Sequence, residues 1–486
     1  MSESSMDTNS RRNRRILSGT AISLGAQVIG YILYFFAIRA ILSGLSKEEN
    51  GVLFGIQRIA EFILALGVEA GMNTVVLRKI VQNEEDADVI LATFAKMRFM
   101  LWLVASALLA VVGWIFIPEH LSLMLIWSVY SLIAAKSILW RFVFELRYRA
   151  HTNLLPVYLL GLLDTLLFLA VIYFIPQPLN AEYIIVGFCL SAIPGFVILV
   201  LLTGDWKLLK IPFSKKIAGE IFKSSMPVMI AFVMMQVHDK SDAFFLQYFK
   251  GEEELGIFGA VYRMLPPLLA VSMTLTTVLT PSIARFHLTD MERCKRYIFG
   301  GIKILLYFGG LLSVVLSANT GFIIQALSDG RYSDSYLQFF VFLWLPVPVY
   351  LIVFLFDVNI VLGRERNNFI ITATEAGLSI ITNLLLTPHY ASLGTVFSKL
   401  VTLIIATAVT LWLLKDFLRE LVTFGFFARF SIALISGLSS SYLLPQIMPQ
   451  FAASFVGGGI YLAMLMLAGA LQRHDVAIIQ HFLKKT

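Results

Sequence analysis

The sequence predicts an all-α protein that crosses a membrane about fourteen times, as two parallel six-helix lobes followed by two additional C-terminal helices. Composition, the placement of basic residues and an internal repeat support this prediction. Of the 486 residues, 58% are hydrophobic and only 14% are charged, and the mean hydropathy is +0.81. No soluble domain of this size needs so much apolar surface, so we expect a polytopic membrane protein.

Fourteen apolar stretches are each long enough to cross a bilayer. They cover approximately residues 16–42, 52–77, 99–117, 121–144, 154–175, 181–203, 225–248, 255–283, 298–318, 335–362, 368–387, 392–414, 427–444 and 452–471. The first follows the basic run Arg11–Arg15, as a secretory signal would. It is too long for a cleaved signal, so we expect a retained first span.

Lys and Arg are concentrated on one side of these spans. The two tails and the loops on their side hold 28 of these residues, whereas the opposite loops hold three: Lys47, Lys250 and Arg331. Cytoplasmic loops carry such an excess, so both termini are predicted to be cytoplasmic. The net charge of +7 is explained by these loops, and no basic tract with interleaved aromatics indicates nucleic-acid binding.

The two halves of the chain share a spaced motif. Moving 205 residues along the chain superimposes Glu48, Glu49, Gly51 and Arg58 on Glu253, Glu254, Gly256 and Arg263. An offset of six spans preserves direction through the membrane, which predicts parallel repeats. We therefore expect a tail and six-helix lobe in residues 1–210, a second lobe in 211–420, and two helices with a tail in 421–486.

Ionisable residues remain inside the predicted spans. The basic ones are Arg39, Arg58, Lys136, Lys240, Arg263, Lys303 and Lys399, and the acidic ones include Glu61, Glu69, Asp164, Asp239, Asp242, Asp357 and Glu375. Each costs at least about 2.5–3.5 kcal/mol at the bilayer centre, so the group predicts a polar cavity.

The basic residues differ in predicted depth. Arg58 and Arg263 lie about 10 Å inward from the outer ends of their helices, and Lys399 is at similar depth. Arg39 is shallower, where its side chain could instead extend to the interface. We expect these four residues to bind substrate, although Arg58 could form an ion pair with Glu61 at i, i+3. No acid lies within one turn of Arg263.

The acidic residues have alternative interpretations too. Lys240 and Asp242 are substrate candidates, but Lys240 could also be neutralised locally by Asp239 and Asp242. Asp164 is alone in an apolar stretch, so Asp164 and Asp239 are candidates for binding a coupling proton or cation. Asp164 could equally pair with a basic residue on a neighbouring helix, such as Lys136.

The sequence does not favour enzyme chemistry. No predicted loop exceeds roughly two dozen residues, which leaves no room for a separate catalytic domain. The motif Asp86-Ala-Asp88 resembles the metal-sugar motif of glycosyltransferases, but it is interpreted as a solvated acidic run beside Glu84 and Glu85. The cysteines and histidines show no metal-ligand spacing, and no cofactor is implied.

Four segments resemble a known transporter family. They are residues 39–80 with the loop Glu-x-Gly, the basic segment 140–157, residues 242–264, and residues 383–402. In these segments and in span order, the chain is similar to polysaccharide transporters of the multidrug/oligosaccharidyl-lipid/polysaccharide exporter (MOP) superfamily, the Wzx-type flippases. The family's acid in span 7 matches Asp242, but Ala243 stands where a basic residue usually follows.

The resemblance implies a twelve-helix core of two lobes enclosing a cationic cavity. It implies transport of an undecaprenyl-pyrophosphate-linked oligosaccharide, such as an O-antigen or exopolysaccharide repeat unit, across a bacterial plasma (inner) membrane. Membrane lipid is an expected contact, H⁺ or Na⁺ a coupling ion, and polysaccharide polymerase or assembly proteins are possible partners. Buried Arg or Lys would replace the hydration of the pyrophosphate, with Arg forming forked hydrogen bonds.

Two other functions fit parts of the sequence. A multidrug exporter of the same superfamily would need an acid-dominated cavity for cationic drugs, which the seven intramembrane basic residues disfavour. A membrane polysaccharide polymerase or ligase would need a sizeable external loop. The longest external loop, residues 318–334, contains only three charged residues: Asp329, Arg331 and Asp334.

Overall fold

The computed structural model describes residues 25–66, 72–83, 85–134, 139–150, 154–175, 178–418 and 423–471. Four features of the sequence interpretation lie outside these ranges: the basic run at 11–15, Glu69, Glu84 and Lys136. The proposed pairing of Asp164 with Lys136 therefore involves a residue outside the described part of the chain.

The described residues form helices and contain no β-strand. The α-helices are α1 Gly25–Gly44, α2 Lys47–Leu64, α3 Met72–Gln82, α4 Ala87–Phe116, α5 Leu121–Ile133, α6 Trp140–Ala150, α7 Leu155–Phe174, α8 Ala181–Thr203, α9 Lys215–Lys250, α10 Glu252–Tyr262, α11 Leu265–Thr289, α12 Met291–Ala318, α13 Thr320–Ser328, α14 Tyr336–Phe342, α15 Pro346–Val361, α16 Glu365–Leu413, α17 Lys415–Leu418, α18 Phe424–Leu443 and α19 Gln450–Leu467. The predicted class, an all-α polytopic membrane protein, is confirmed.

Within the described residues, ten helices are long and apolar enough to cross a membrane, or eleven if the bent pair Lys215–Met226 and Val228–Lys250 is one span. α16 has 49 residues and contains two predicted spans. Several other predicted spans each overlap two of these helices. The span at 52–77 corresponds to parts of α2 and α3, 121–144 to parts of α5 and α6, and 255–283 to parts of α10 and α11.

The break inside α16 is a tight helical hairpin. Ala391 has φ 52° and ψ −135°, a conformation outside the helical region. The two arms then run antiparallel, because the hydroxyl of Thr382 lies 2.6 Å from that of Ser398 and 3.2 Å from that of Thr402. Gly394 allows this approach, since a Cβ there would lie 2.4 Å from the carbonyl oxygen of Leu386. The separation of the predicted spans 368–387 and 392–414 thus has a definite structural cause.

The chain divides into two compact units, residues 1–244 and 245–486. In unit 1, α8 packs against α7 and α5, and α4 and α2 also pack against α5. The core of this unit includes the stacked rings of Phe168 and Phe188, whose centroids are 3.9 Å apart. Trp127 contacts Phe188 edge-on. Buried aromatic area of this kind fixes the positions of α5, α7 and α8.

In unit 2, α12 packs against α11, α15, α18 and α19. Tyr461 of α19 is fully buried, and its hydroxyl donates to the carbonyl of Tyr307 at 3.3 Å. Opposite faces of the C-terminal helices remain apolar and exposed, as Phe455 and Leu467 illustrate. The C-terminal pair therefore combines a packed face with a face suited to lipid.

Candidate functional site

A chain of alternating charges connects α2 and α9 within unit 1. The Nη1 atom of Arg58 lies 3.1 Å from the Oδ2 atom of Asp239. The same Oδ2 atom lies 3.0 Å from the Nζ atom of Lys240, and that ammonium lies 2.7 Å from the Oε2 atom of Glu61. We call Arg58, Asp239, Lys240 and Glu61 the charge chain.

The helices hold this chain in place. α2 begins after the N-cap residue Ser46, whose hydroxyl accepts a 3.1 Å hydrogen bond from the backbone N–H of Glu49. Arg58 follows on the buried side of α2, with its guanidinium over the ring of Phe54 at 4.9 Å. Glu61 lies one turn further along the same helix. Because of this i, i+3 spacing, the side chains of Arg58 and Glu61 lie on the same side of α2, and each forms an ion pair with a residue of α9.

This arrangement corrects the local pairings considered from the sequence. Arg58 pairs with Asp239 rather than with Glu61, and Glu61 pairs with Lys240. Lys240 does contact Asp239, as expected, but its shorter contact is with Glu61. Residues at i, i+3 on one helix can pair, but Arg58 and Glu61 each have a partner on α9, which local spacing could not predict.

Exposure differs sharply between the cations and the acids of the charge chain. The side chains of Arg58 and Lys240 are 8% and 10% exposed, whereas those of Asp239 and Glu61 are 34% and 41% exposed. Both cations are thus buried and neutralised by more accessible carboxylates. An anion that binds Arg58 or Lys240 must displace a carboxylate, and a cation would meet the carboxylates first.

Two other predicted residues of unit 1 lie on the neighbouring helices. Asp242 is buried on α9, one turn beyond Asp239. Arg39 is half-buried on α1, and its carbonyl accepts a 2.7 Å hydrogen bond from the hydroxyl of Ser43.

Asp164 is not isolated. Its Oδ2 atom accepts a 2.6 Å hydrogen bond from the Nη1 atom of Arg141 on α6. Arg141 is fully buried and its Nε atom lies 3.7 Å from Glu145, which in turn pairs with Arg149 at 2.7 Å. The isolation of Asp164 inferred from its apolar surroundings was wrong, because its partner comes from a different predicted span.

A glycine on the neighbouring helix α8 leaves room for this buried ion pair. Gly195 of α8 faces Asp164, and a Cβ at position 195 would lie 1.9 Å from the Oδ1 atom of Asp164. Two opposite charges buried together cost much less than one alone. The pair of Asp164 and Arg141 therefore supports a structural role in joining α6 to α7.

The predicted basic residues of unit 2 lie in different surroundings. α10 ends at Tyr262, so Arg263 occupies the helical cap before α11 begins at Leu265. Pro266 and Pro267 follow, and proline is favoured in the first turn of a helix because its missing N–H has no partner there. Arg263 is half-buried.

Lys399 is buried in the second arm of the α16 hairpin, with its ammonium 5.4 Å from the centroid of the Tyr262 ring. Glu375 in the first arm is also buried and interacts electrostatically with Lys399. Lys303 is buried against the rings of Phe299 and Phe426. Sequence inspection placed Lys303 at a helix end but gave it no aromatic partners.

The same helix-capping contact occurs in both units. In unit 1, the Oε2 atom of Glu49 accepts a 2.6 Å hydrogen bond from the N–H of Ala181, the first residue of α8. In unit 2, the Oε2 atom of Glu254 accepts a 3.1 Å hydrogen bond from the N–H of Ser392, just after Ala391. Each carboxylate satisfies a free N–H at the start of a helix. The motif shared by the two halves therefore has a common structural role at its second Glu.

Sequence reasoning missed Arg141, which it included only in the basic segment 140–157. The available signal was its position inside the predicted span 121–144. Among the described residues, no group of three or more His, Cys, Asp or Glu side chains could hold a metal ion.

No family model and no curated protein matches the chain. Solved structures do match it. The lipid II flippase MurJ, in an inward closed conformation, has a TM-score of 0.70 at 14% identity, covering 91% of this chain and 97% of that chain.

An inward-facing multidrug resistance MATE family transporter of the MOP superfamily has a TM-score of 0.61 at 16% identity, covering 80% of this chain and 96% of that one. A MOP-superfamily transporter from Pyrococcus furiosus, described as having a binding pocket of reverse polarity, has a TM-score of 0.55 at 16% identity, covering 83% and 95%. At these identities the likeness establishes the fold. The chain is a multi-pass membrane protein with the fold shared by MurJ and MATE transporters.

Proposed function

We propose that this protein is a flippase that moves an undecaprenyl-pyrophosphate-linked oligosaccharide from the cytoplasmic to the outer leaflet by alternating access. The observation that carries the proposal is the single Oδ2 atom of Asp239 held by both Arg58 and Lys240. The fold is shared with a lipid II flippase, and the four sequence segments similar to Wzx-type flippases point to a polysaccharide repeat unit.

A phosphate oxygen can replace Asp239 in this geometry. Arg58 and Lys240 converge on one anionic oxygen at 3.1 and 3.0 Å, both within ion-pair distance, and Arg58 also donates a hydrogen bond to it. A pyrophosphate carries more charge than a carboxylate and offers several oxygens to the guanidinium fork. We propose that the substrate's pyrophosphate displaces Asp239 and takes over both cations, while Glu61 keeps its contact with Lys240.

Such a displacement suits transport better than a permanently open cationic site. Buried cations without partners would be costly in every substrate-free state, and removing one partner of a buried pair costs about 3–5 kcal/mol. Asp239 holds the cations when substrate is absent and returns when it leaves. The net affinity for substrate therefore depends on how much more strongly the pyrophosphate binds the two cations than Asp239 does. Because Asp239 competes for them, release is favoured as well as capture.

Displacement also gives a route for ion coupling. Once freed, the carboxylate of Asp239 can bind a proton or a cation such as Na⁺ until the substrate departs. Asp164, the other sequence candidate, would have to give up its 2.6 Å hydrogen bond from Arg141. We therefore assign coupling to Asp239 and a structural role to Asp164.

We also propose roles for the other predicted residues. Arg263 and Lys399 belong to unit 2, Arg39 lies on α1, and Asp242 lies on α9. We propose that Arg263 and Lys399 contact the pyrophosphate or the glycan during the cycle, and that Arg39 and Asp242 contact the polar headgroup. Polysaccharide polymerase or assembly proteins would receive the product in a bacterial inner membrane.

A second candidate is an exporter of lipophilic cations, because the accessible members of the charge chain are the carboxylates of Asp239 and Glu61. MATE transporters have the same fold. In that case the carboxylates, rather than Arg58, would bind the substrate.

Binding to the purified protein distinguishes the two functions. Undecaprenyl pyrophosphate and a fluorescent lipophilic cation are titrated separately in nanodiscs. The flippase proposal predicts saturable binding of the pyrophosphate lipid that is weakened in Arg58→Ala. Binding of the cation alone, abolished in Asp239→Asn and retained in Arg58→Ala, would instead establish the exporter.

A further inference from the structure

A short basic and aromatic segment joins α8 to α9 in unit 1. Gly204 ends α8 in the left-handed conformation, with φ 67°. A 3₁₀ helix then covers Asp205–Lys210. A 3₁₀ helix has three residues per turn, so residues three apart lie above one another. The sequence DWKLLK consequently forms three stripes of two residues each.

The three stripes have different surroundings. Asp205 and Leu208 are buried, Trp206 and Leu209 are exposed and apolar, and Lys207 and Lys210 are exposed and basic. The two lysine ammonium groups lie 5.9 and 5.2 Å from the centroid of the Trp206 ring. An exposed Trp beside lysines is the arrangement found at a membrane–water interface.

Polar contacts fix this segment to the rest of unit 1. The Nε atom of Arg147 donates a 2.7 Å hydrogen bond to Asp205, and its Nη2 atom donates a 2.6 Å hydrogen bond to Asp88. Burial raises the pKa of the Asp205 carboxyl, and the hydrogen bond from Arg147 opposes that shift. Asp88 is exposed, as expected for a solvated acidic run, and it also helps to anchor this segment through Arg147.

Lys96 of α4 fixes the end of the same segment. Its Nζ atom donates a 2.6 Å hydrogen bond to the carbonyl of Ile211. The backbone N–H of Ser214 donates to the hydroxyl of Thr93 at 3.3 Å. The segment is thus held on α4 and α6 at several points, rather than being a free linker.

An apolar cavity lies directly beside the exposed stripe. Its volume is about 220 Å³, and it is lined by Ala95, Lys96, Phe99, Met100, Trp140 and Leu209. Phe99 and Trp140 form one wall, with ring centroids 5.6 Å apart. Leu209 belongs to the 3₁₀ helix itself, so the cavity opens next to Lys207 and Lys210.

We propose that this cavity binds one acyl chain of an anionic phospholipid, and that Lys207 and Lys210 bind its phosphate-containing headgroup. The apolar walls suit a hydrocarbon chain, and the adjacent lysines supply the charge that complements the headgroup. Basic pockets on the cytoplasmic side of membrane helices recognise anionic lipids in this way. The site is separate from the charge chain, and it does not depend on what the protein transports.

Photocrosslinking tests the site on the full-length protein in nanodiscs. Two lipids carry the same diazirine-labelled acyl chain, one with a phosphatidylglycerol headgroup and one with a phosphatidylcholine headgroup. We expect the anionic lipid to label the segment Ala95–Met100 more strongly. Two lysines near an anionic headgroup correspond to as much as about a thirtyfold difference in affinity.

Variants distinguish lipid binding at this site from a general effect of positive surface charge. Lys207→Ala/Lys210→Ala should reduce labelling by the anionic lipid to the level of the zwitterionic one, and Lys207→Arg/Lys210→Arg should retain it. The matched control Lys215→Ala/Lys216→Ala removes the same charge from the exposed start of α9 and should leave labelling unchanged. Equal labelling by the two lipids, or an equal loss in both alanine pairs, would overturn the proposal.

Discussion

Arg58 and Arg263 occupy the same position in the motif shared by the two halves, but they end up in different structures. α2 continues through Arg58 to Leu64, whereas α10 ends at Tyr262, the residue before Arg263. The counterpart of Glu61 in the second half is Pro266. A duplicated motif can therefore keep its capping contact and diverge one or two turns later, where function is decided.

This structural difference changes how much each arginine is expected to contribute to substrate binding. Arg58 is buried on a continuous helix and aimed at Asp239, so it is preorganised for an anion. Arg263 is half-buried at a helix break. The two residues should consequently be unequal in transport, although the sequence places them at one depth.

The largest expected effect is that of Arg58→Ala. Losing a charge-assisted hydrogen bond worth about 1.5–3 kcal/mol should weaken binding of undecaprenyl pyrophosphate on the order of ten- to hundredfold. Arg58→Lys should retain part of the binding, because it keeps the charge and loses the fork. Isothermal titration in nanodiscs measures both, with the exposed Arg331→Ala as the control.

Arg263→Ala should weaken binding of the same lipid less than Arg58→Ala does. Export is measured as surface glycan in a flippase-null strain, with membrane abundance checked by immunoblot. If Arg263→Ala and Arg58→Ala cause equal losses at equal abundance, the two halves contribute equally and the proposed asymmetry is wrong.

Asp164→Asn should act mainly on stability. The change leaves the fully buried Arg141 with Glu145, 3.7 Å from its Nε atom, as an acidic neighbour. Breaking a buried ion pair costs about 3–5 kcal/mol, and the amide oxygen and Glu145 should offset part of that cost. We therefore expect lower membrane abundance and a lower apparent melting temperature, measured by fluorescence-detected size exclusion.

Gly195→Ala tests the same ion pair without changing either charge, because the new methyl group would displace the Asp164 carboxylate. This variant should also lower stability. Gly377→Ala is the matched control, since a Cβ at position 377 meets nothing within 4 Å. Normal stability of Asp164→Asn and Gly195→Ala, combined with slower ion-dependent transport in Asp164→Asn, would return Asp164 to a coupling role.

The smallest expected effects concern the contact that both halves keep. Glu49→Gln and Glu254→Gln should each lower stability by about 1 kcal/mol, because a neutral amide interacts less favourably with the start of a helix. Glu48→Gln and Glu253→Gln are matched controls, as both residues are exposed. A lower melting temperature in only one half would show that the two caps are not equivalent.

The fold could be predicted well because an apolar span is recognised from a whole stretch of sequence. Twenty apolar residues identify a span whatever their partners are, and the two arms of α16 were separated correctly around Ala391. The boundary between α10 and α11 was missed, because an apolar stretch such as 255–283 does not reveal where its regular helical hydrogen bonding is interrupted. The prolines at 266 and 267 were a usable signal for the break after Tyr262.

The pairing of buried charges could not be predicted in the same way. Arg58 with Asp239 and Arg141 with Asp164 join residues that are 181 and 23 positions apart. Such pairs depend on which helix faces which neighbour, and local spacing contains no information about that. Sequence reasoning identified most members of these pairs as buried charges but assigned their partners incorrectly.

The most direct test of the account is the affinity of Asp239→Asn for undecaprenyl pyrophosphate, measured in nanodiscs beside the wild type. If Asp239 competes with the substrate for Arg58 and Lys240, the variant should bind the pyrophosphate lipid several-fold more tightly. The exposed Asp416→Asn adds the same net charge elsewhere and should bind like the wild type. Unchanged or weaker binding by Asp239→Asn would contradict the claim that this carboxylate holds the substrate's place.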